Sequence, residues 1–234
     1  MTESPSLEGR LAIVTGGSRG IGRAVVDALE AAGAHVVTVS RGTVVDDLDT
    51  GKRSDAVAAD ISQEYGVDAI ARHLDGRVPD VVVHSAGAFT LASLADTTVQ
   101  DFDRMLAVNL RAAYLLMHRF LPSMIARGSG HFVSIGSIAG RQALPGNAGY
   151  AASKFGLRGL HAVLDLELRG TGVRATLIEP SATATGLWDA VDGADYDLPA
   201  KEAMLDPAAV ADAVVYAVTR PPQVGIPNLL IGRS

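Results

Sequence analysis

Arg10–Ala32 reads RLAIVTGGSRGIGRAVVDALEAA. Five residues, Arg10–Val14, form an apolar and β-branched run, followed at once by glycines at 16, 20 and 22 and then by a helical pattern over Gly22–Ala32. Glycine at such a junction has a steric cause: the strand turns tightly into the helix while a pyrophosphate lies against the backbone, where a Cβ would intrude. The helix N-terminus offers free N–H groups and the positive end of its dipole to that anion. The spacing is G-x-x-x-G-x-G, and no Gly-Lys-Ser/Thr follows, which excludes a Walker loop.

Outward from this junction the pattern repeats. Short apolar runs fall at His35–Ser40, Asp55–Ala58, Asp80–His84, His131–Ile135, Val173–Ile178 and Asn228–Ile231, with helical stretches at Gln100–Arg127, Tyr150–Arg169 and Pro207–Thr219. Strands apolar at nearly every position are covered on both faces, and their alternation with helices predicts a parallel α/β sheet with right-handed crossovers. No linker divides the 234 residues, so one domain over 1–234 is expected, with residues 1–6 as a disordered tail. Gly42–Ser54 is polar and short, which predicts a reduced or missing crossover helix.

Hydrophobic residues make up 48% of the chain and charged residues 20%, the balance of a globular protein. The net charge of −6 argues against a nucleic-acid surface. The absence of cysteine excludes a disulfide scaffold, a thiolate zinc site and a cysteine nucleophile, and no metal is expected. The first ten residues lack the apolar core of a signal peptide, and no uninterrupted apolar stretch is long enough to span a membrane. A cytoplasmic protein fits these features.

The second strand ends in Ser40-Arg41, where an NAD-binding turn usually carries an acid for the ribose 2′-hydroxyl. Arg41 and Arg19, the latter inside the glycine turn, would instead suit a 2′-phosphate through charge-assisted bonds, which favours NADP(H) over NAD(H).

Tyr150 and Lys154 stand four apart at the start of a helix, on one face. A phenol titrates near pH 10 and becomes a useful acid–base group at neutral pH when an ammonium stabilises its anion. Ser137 follows the strand ending at Ile135, at the carboxyl edge where α/β sheets bind ligands, and its hydroxyl could hold a carbonyl oxygen. Ser134, within the strand, competes less well. Asn109 interrupts an apolar helix; it either bonds the backbone as a plug or holds a water for proton transfer.

The ordered set Thr15-Gly16-x-x-x-Gly20-x-Gly22, Asp60, Ala86-Gly87, Asn109, Ser137, Tyr150-x-x-x-Lys154, Pro180 and Thr185 resembles the short-chain dehydrogenase/reductase family over residues 7–234. The resemblance implies a Rossmann-type, doubly wound parallel sheet of seven strands with helices on both faces, and a catalytic tetrad of Asn109, Ser137, Tyr150 and Lys154. It implies a cofactor site from Gly16, Ser18, Arg19, Gly20, Ile21, Gly22, Ser40, Arg41, Asp60, Ile61, Ser85, Ala86, Gly87, Tyr150, Lys154, Pro180, Thr183 and Thr185, with Asp60 and Ile61 beside the adenine. The implied reaction is hydride transfer between NADP(H) and a ketone or aldehyde, with Tyr150 as proton donor, Ser137 on the oxygen, Lys154 lowering the phenol pKa and Asn109 holding a water. The chain departs from the family at His84-Ser85, where Asn-Asn is usual, and at Ser181, where glycine follows the proline. His84 is expected to be a satisfied strand-end histidine.

The partner is a small carbonyl or alcohol substrate, with Phe89, Ile138, Leu144, Asn147, Leu187 and Trp188 as candidate pocket residues. Thr185–Asp206, punctuated by Gly, Asp and Pro, reads as a substrate flap. Trp188 either closes over an apolar ligand or pins the flap. A 3-oxoacyl-carrier-protein reductase is one alternative and would need a basic patch, for which Arg127 and Arg169 are candidates. A catalytically silent NADP-binding sensor is another. Apolar residues around the two long helices, paired in the family across a dyad, predict a homodimer or homotetramer.

Overall fold

The computed structural model describes residues 6–42, 54–189, 196 and 198–233. The strands are β1 (Leu11–Thr15), β2 (His35–Ser40), β3 (Ser54–Ala58), β4 (Val81–His84), β5 (Gly130–Ile135), β6 (Val173–Pro180) and β7 (Asn228–Ile231). They form one parallel sheet in the order β3-β2-β1-β4-β5-β6-β7. The chain order reverses between β1 and β4, and ligands of such sheets bind at that switch point.

The helices are α1 (Gly20–Ala31), α2 (Glu64–His73), α3 (Val99–Leu106), α4 (Ala112–Arg127), α5 (Ala148–Glu167) and α6 (Pro207–Val218). Along β1, Leu11 and Ile13 join an apolar layer with α2, α4 and α5, while Ala12 and Val14 join a second layer with α1 and α6. This two-sided burial is why the strands are apolar at consecutive positions.

Three details differ from the sequence expectation. α2 was not foreseen: its apolar Val67 and Ile70 are embedded in a polar run, too sparse to announce a helix. The single helix expected over Gln100–Arg127 is divided, because Ala107–Arg111 forms a π turn between α3 and α4. α5 begins at Ala148, so Tyr150 lies in its first turn. The crossover expected to be reduced falls largely at 43–53, outside the described residues, as do 1–5 of the expected tail and 190–195 and 197 of the flap. Ser6 is exposed, and its hydroxyl accepts from the Glu8 amide. Among the described residues no helix is long and apolar enough to cross a membrane.

Candidate active site

The glycine turn is built by close backbone packing. Gly16 has φ +70°, and a Cβ there would stand 2.7 Å from Ala86 Cα; a Cβ on Gly22 would stand 2.1 Å from the Gly16 carbonyl oxygen. The Gly16 and Gly17 amides donate to Val39 O at 2.8 and 3.4 Å, which ties the turn to the end of β2. The Thr15 hydroxyl accepts from the Ala86 amide at 3.4 Å and pairs with His84 Nδ1 at 3.1 Å. The ends of β1, β2 and β4 thus converge on one cradle.

The cradle suits a dinucleotide. Residue Arg19 caps α1 without a side-chain bond to its amides, and no acid stands in the first turn, so the N–H groups near Gly20, Ile21 and Gly22 remain available to an anion. Ser18, Arg19 and Arg41 are exposed beside it, while the Ser40 hydroxyl donates to Gly42 O at 2.8 Å. Thr185 lies against the turn: its Cγ2 would be 3.2 Å from a Cβ on Gly20. Gly87 is exposed, and Ser85 and Ala86 are half-buried. Two residues expected beside the adenine are otherwise engaged. Asp60 Oδ1 accepts from the Ser62 amide and hydroxyl at 3.0 and 2.7 Å, and the Ile61 side chain is buried in the apolar layer with Val67 and Ile70. For Ile61 only the backbone is left to line a ligand.

Tyr150, Ser137 and Lys154 come together at the carboxyl edge. Ser137 caps a 3-10 turn over Ile138–Gly140, its Oγ accepting from the Ala139 amide at 3.1 Å. Its hydroxyl also draws the Tyr150 phenol pKa down, but burial acts more strongly and leaves it above the usual value. Lys154 is buried and donates to Ile135 O at 2.8 Å, with its ammonium 5.5 Å from the Tyr150 ring centroid. Burial pushes the Lys154 pKa down to about 8. The expectation that Lys154 lowers the phenol pKa is therefore corrected for this arrangement: the ammonium faces a carbonyl, and desolvation governs both groups.

The Asn109 side chain is fully buried in the π turn. Its Oδ1 accepts from the Ala88 amide at 2.7 Å, and its Nδ2 donates to Ala88 O and Ser153 Oγ, each at 2.9 Å. With both amide hydrogens engaged, the side chain serves as the backbone plug. Ser134 is also fully buried and pairs with His161 Nε2 at 2.7 Å, which removes it as the oxygen-binding serine. His84 is buried, and desolvation, reinforced by the Lys154 charge, pushes its pKa down to about 3. It is a neutral strand-end residue bonded at Nδ1.

An aromatic row leads from the phenol to the flap. The Phe89 ring packs edge-on to Tyr150 with centroids 4.9 Å apart and to Trp188 at 5.2 Å. Trp188 Nε1 donates to Thr183 O at 3.0 Å, and Thr183 Oγ1 donates to Ser181 O at 3.0 Å. Trp188 thus pins the flap and also faces the site. Pro180 ends β6; the Ser181 side chain lies toward Gly232, 3.8 Å from where a Cβ would stand there. Leu187 and Ile138 are half-buried, Leu144 is exposed, and Asn147 is buried with its Oδ1 unpaired among the described residues. Arg127 does not supply a basic patch here. It bonds Val78 O and Pro79 O ahead of β4, at the opposite edge of the sheet, and Arg169 lies beyond the far end of α5, paired with Asp165. Sequence reasoning passed over Glu179, Arg141 and Asn228, which are far apart in the chain and carry no motif.

A dinucleotide cradle at the switch point, with a serine, a tyrosine and a buried lysine beside it, defines an NAD(P)-dependent oxidoreductase acting on CH–OH and C=O groups. The short chain dehydrogenase family matches residues 10–195, and the chain belongs to the short-chain dehydrogenase/reductase family. It is 33% identical over 239 residues to an uncharacterized oxidoreductase of Staphylococcus haemolyticus, covering 99% of each chain. It is also 33% identical over 239 residues to the glycine betaine reductase ATRR of Emericella nidulans; that match takes in 96% of this chain but only 19% of the longer relative. A metagenomic short-chain oxidoreductase solved in complex with NADP superposes with a TM-score of 0.82 at 32% identity, over 97% of this chain and 98% of that one.

Proposed function

We propose that the chain reversibly reduces a ketone or aldehyde to an alcohol with NADP(H). The observation that carries this reading is the grouping of Ser137, the Tyr150 phenol that it influences and buried Lys154 at the edge that also bears the glycine turn. The bound nicotinamide supplies or accepts the hydride. Ser137 Oγ–H holds the substrate oxygen. The Tyr150 phenol donates its proton to that oxygen as negative charge develops, and recovers a proton through the polar groups around it. Burial of the phenol keeps it protonated, the form required for reduction. Lys154, held by Ile135 O, keeps a positive charge under the site at neutral pH. Phe89 and Trp188 exclude water from one side and favour an apolar group on the carbonyl.

The preference for NADP(H) rests on Arg19, Ser40 and Arg41, and agrees with the NADP found in the metagenomic relative. The test is NADPH oxidation across a carbonyl panel with the unmodified protein and Tyr150→Phe. General acid–base help is worth roughly 10²–10⁴-fold, so the Phe variant should lose that much kcat while binding NADPH unchanged. A Phe variant as fast as the parent removes Tyr150 from the chemistry. NADPH binding without turnover of any carbonyl turns the reading toward a sensor.

A further inference from the structure

A buried carboxylate outside the tetrad brackets the loop that carries Ser137. Glu179 is the penultimate residue of β6 and is 0% exposed. Its Oε2 accepts from Arg141 Nε at 2.7 Å and from Asn228 Nδ2 at 2.5 Å, and Arg158 Nε lies 3.6 Å from Oε1. Arg141 closes the 3-10 turn that Ser137 opens, and it also bonds Asn228 Oδ1. At the other end of the loop the Gly136 amide donates to Ile178 O at 2.6 Å, and a Cβ on Gly136 would stand 3.1 Å from Glu179 Cγ. One side chain therefore touches the residue before Ser137 and, through Arg141, the residue that ends its turn.

We propose that Glu179 is a positioning residue for Ser137: through Arg141 it fixes the serine turn against the end of β6, so that the Ser137 hydroxyl stays in reach of the Tyr150 phenol. A carboxylate taken out of water is retained at a cost unless it is paired and hydrogen-bonded, and an ordinary apolar pair would pack the same space. What the ion pair adds is direction. The planar guanidinium fork of Arg141 fixes orientation where an apolar contact would let the turn slide. Asn228 extends the anchor to β7, so the serine turn, the strand end bearing Pro180 and the last strand move as one unit. The inference rests on the reading of Ser137 and Tyr150 given above.

The experiment is a double-mutant cycle of Arg141→Met and Ser137→Ala, with Glu179→Gln as a third variant. It is read by NADPH oxidation with 4-nitrobenzaldehyde and, independently of turnover, by the pH titration of the ¹³Cζ resonance of Tyr150 in tyrosine-labelled protein, assigned with Tyr150→Phe. A displacement of about 1 Å at a reacting group can cost on the order of 10²-fold, so Arg141→Met should lose about 10- to 100-fold in kcat with the Kd for NADPH within about twofold. In the Ser137→Ala background the same substitution should cost less than about twofold more. Ser137→Ala and Arg141→Met should both move the Tyr150 titration upward, because each withdraws the hydroxyl that draws it down. Arg141 is partly exposed, so its variant remains testable if Glu179→Gln fails to fold. Independent, multiplying losses, or an unmoved Tyr150 resonance in Arg141→Met, would overturn the positioning role. An unmoved resonance in Ser137→Ala would instead overturn the underlying reading of the Ser137–Tyr150 pair.

Discussion

Tyr150, Ser137, Lys154 and Asn109 each show how a residue's neighbours decide what its type can do. Burial raises the phenol and lowers the lysine, so at neutral pH the pair is a protonated acid beside a cation. The proposed preference for NADP(H) also rests on single residues. Ser40, where the strand could have carried a carboxylate to repel a 2′-phosphate, spends its hydroxyl on Gly42 O, while exposed Arg19 and Arg41 can approach one. Arg41→Asp should therefore weaken NADPH binding by about tenfold or more, leaving NADH little changed, since hydrogen bonds to charged groups are worth about 1.5–3 kcal/mol. Fluorescence titration with both nucleotides checks this; equal affinities in the unmodified protein would count decisively against the argument. The grouping of Ser137, Tyr150 and Lys154 was legible because Tyr150-x-x-x-Lys154 is local and Ser137 follows a recognisable strand end. For Asn109 the backbone plug was one of two readings, and its partners, Ala88 and Ser153, were not legible because they are brought to it only by the fold.

At the scale of elements, the glycine turn could be read because its chemistry is contained in consecutive residues. The π turn could not. Nothing in AVNLR announces a π turn, and its stabilisation comes from the Ala88 backbone across the sheet edge. Such insertions often mark functional sites, and here one places Asn109 under the Ala86-Gly87 loop. The flap is fixed at its roots, and among its described residues the Trp188 indole bonds Thr183 O and the Tyr196 ring stands against Gly146. The Ala184 amide donates to Leu205 O and the Leu205 amide to Ala182 O, both at 2.8 Å, whereas Gly186–Trp188 has no buried residue. Hydrogen exchange of the free protein should show Ala184 and Leu205 protected and Leu187–Asp189 exchanging at least about tenfold faster, with protection of the latter rising when NADPH and a substrate analogue bind. Strong protection of Leu187–Asp189 in the free protein, unchanged by ligands, would make this a rigid element. Trp188→Ala should raise KM more than it lowers kcat, since it removes the Thr183 tether and the Phe89 contact together.

For the whole molecule, the composition carried the class but neither its assembly nor its response to acid. Tyr114, Phe155, Val163 and Leu166, on α4 and α5, are 45–57% exposed, a surface that a second copy would cover. Light scattering should give a multiple of the 24.2 kDa chain mass, and Val163→Asp should lower it; a monomer in both would remove the assembly. The acid response comes from three buried histidines, of which His161 lies close enough to add to the downward push on His84 and His131. Desolvation pushes His84 and His131 down to about 3 and His161 to about 4; Lys154 acts in the same direction on His84, and Arg174 on His131. Each stays neutral in the folded chain at pH 5.5, while the unfolded chain takes up a proton near its ordinary value of 6.5. The unfolded state then binds more protons, so stability falls as pH drops below about 6.5 and continues to fall toward the folded values. One unit below the unfolded pKa each histidine costs about 1.4 kcal/mol, or about 4 kcal/mol for the three, a large part of the roughly 5–15 kcal/mol that holds a domain folded. The Lys154 shift acts between about pH 8 and its ordinary value and leaves this window untouched. At about 2–4 °C per kcal/mol for a chain of this size, Tm should fall by about 10 °C between pH 7.5 and 5.5. His131→Gln retains a polar group beside Thr176 and lies away from the site, so it should remove about a third of that fall. A Tm independent of pH over this range, or a His131→Gln profile parallel to that of the parent, would show that the buried imidazoles do not set the acid limit.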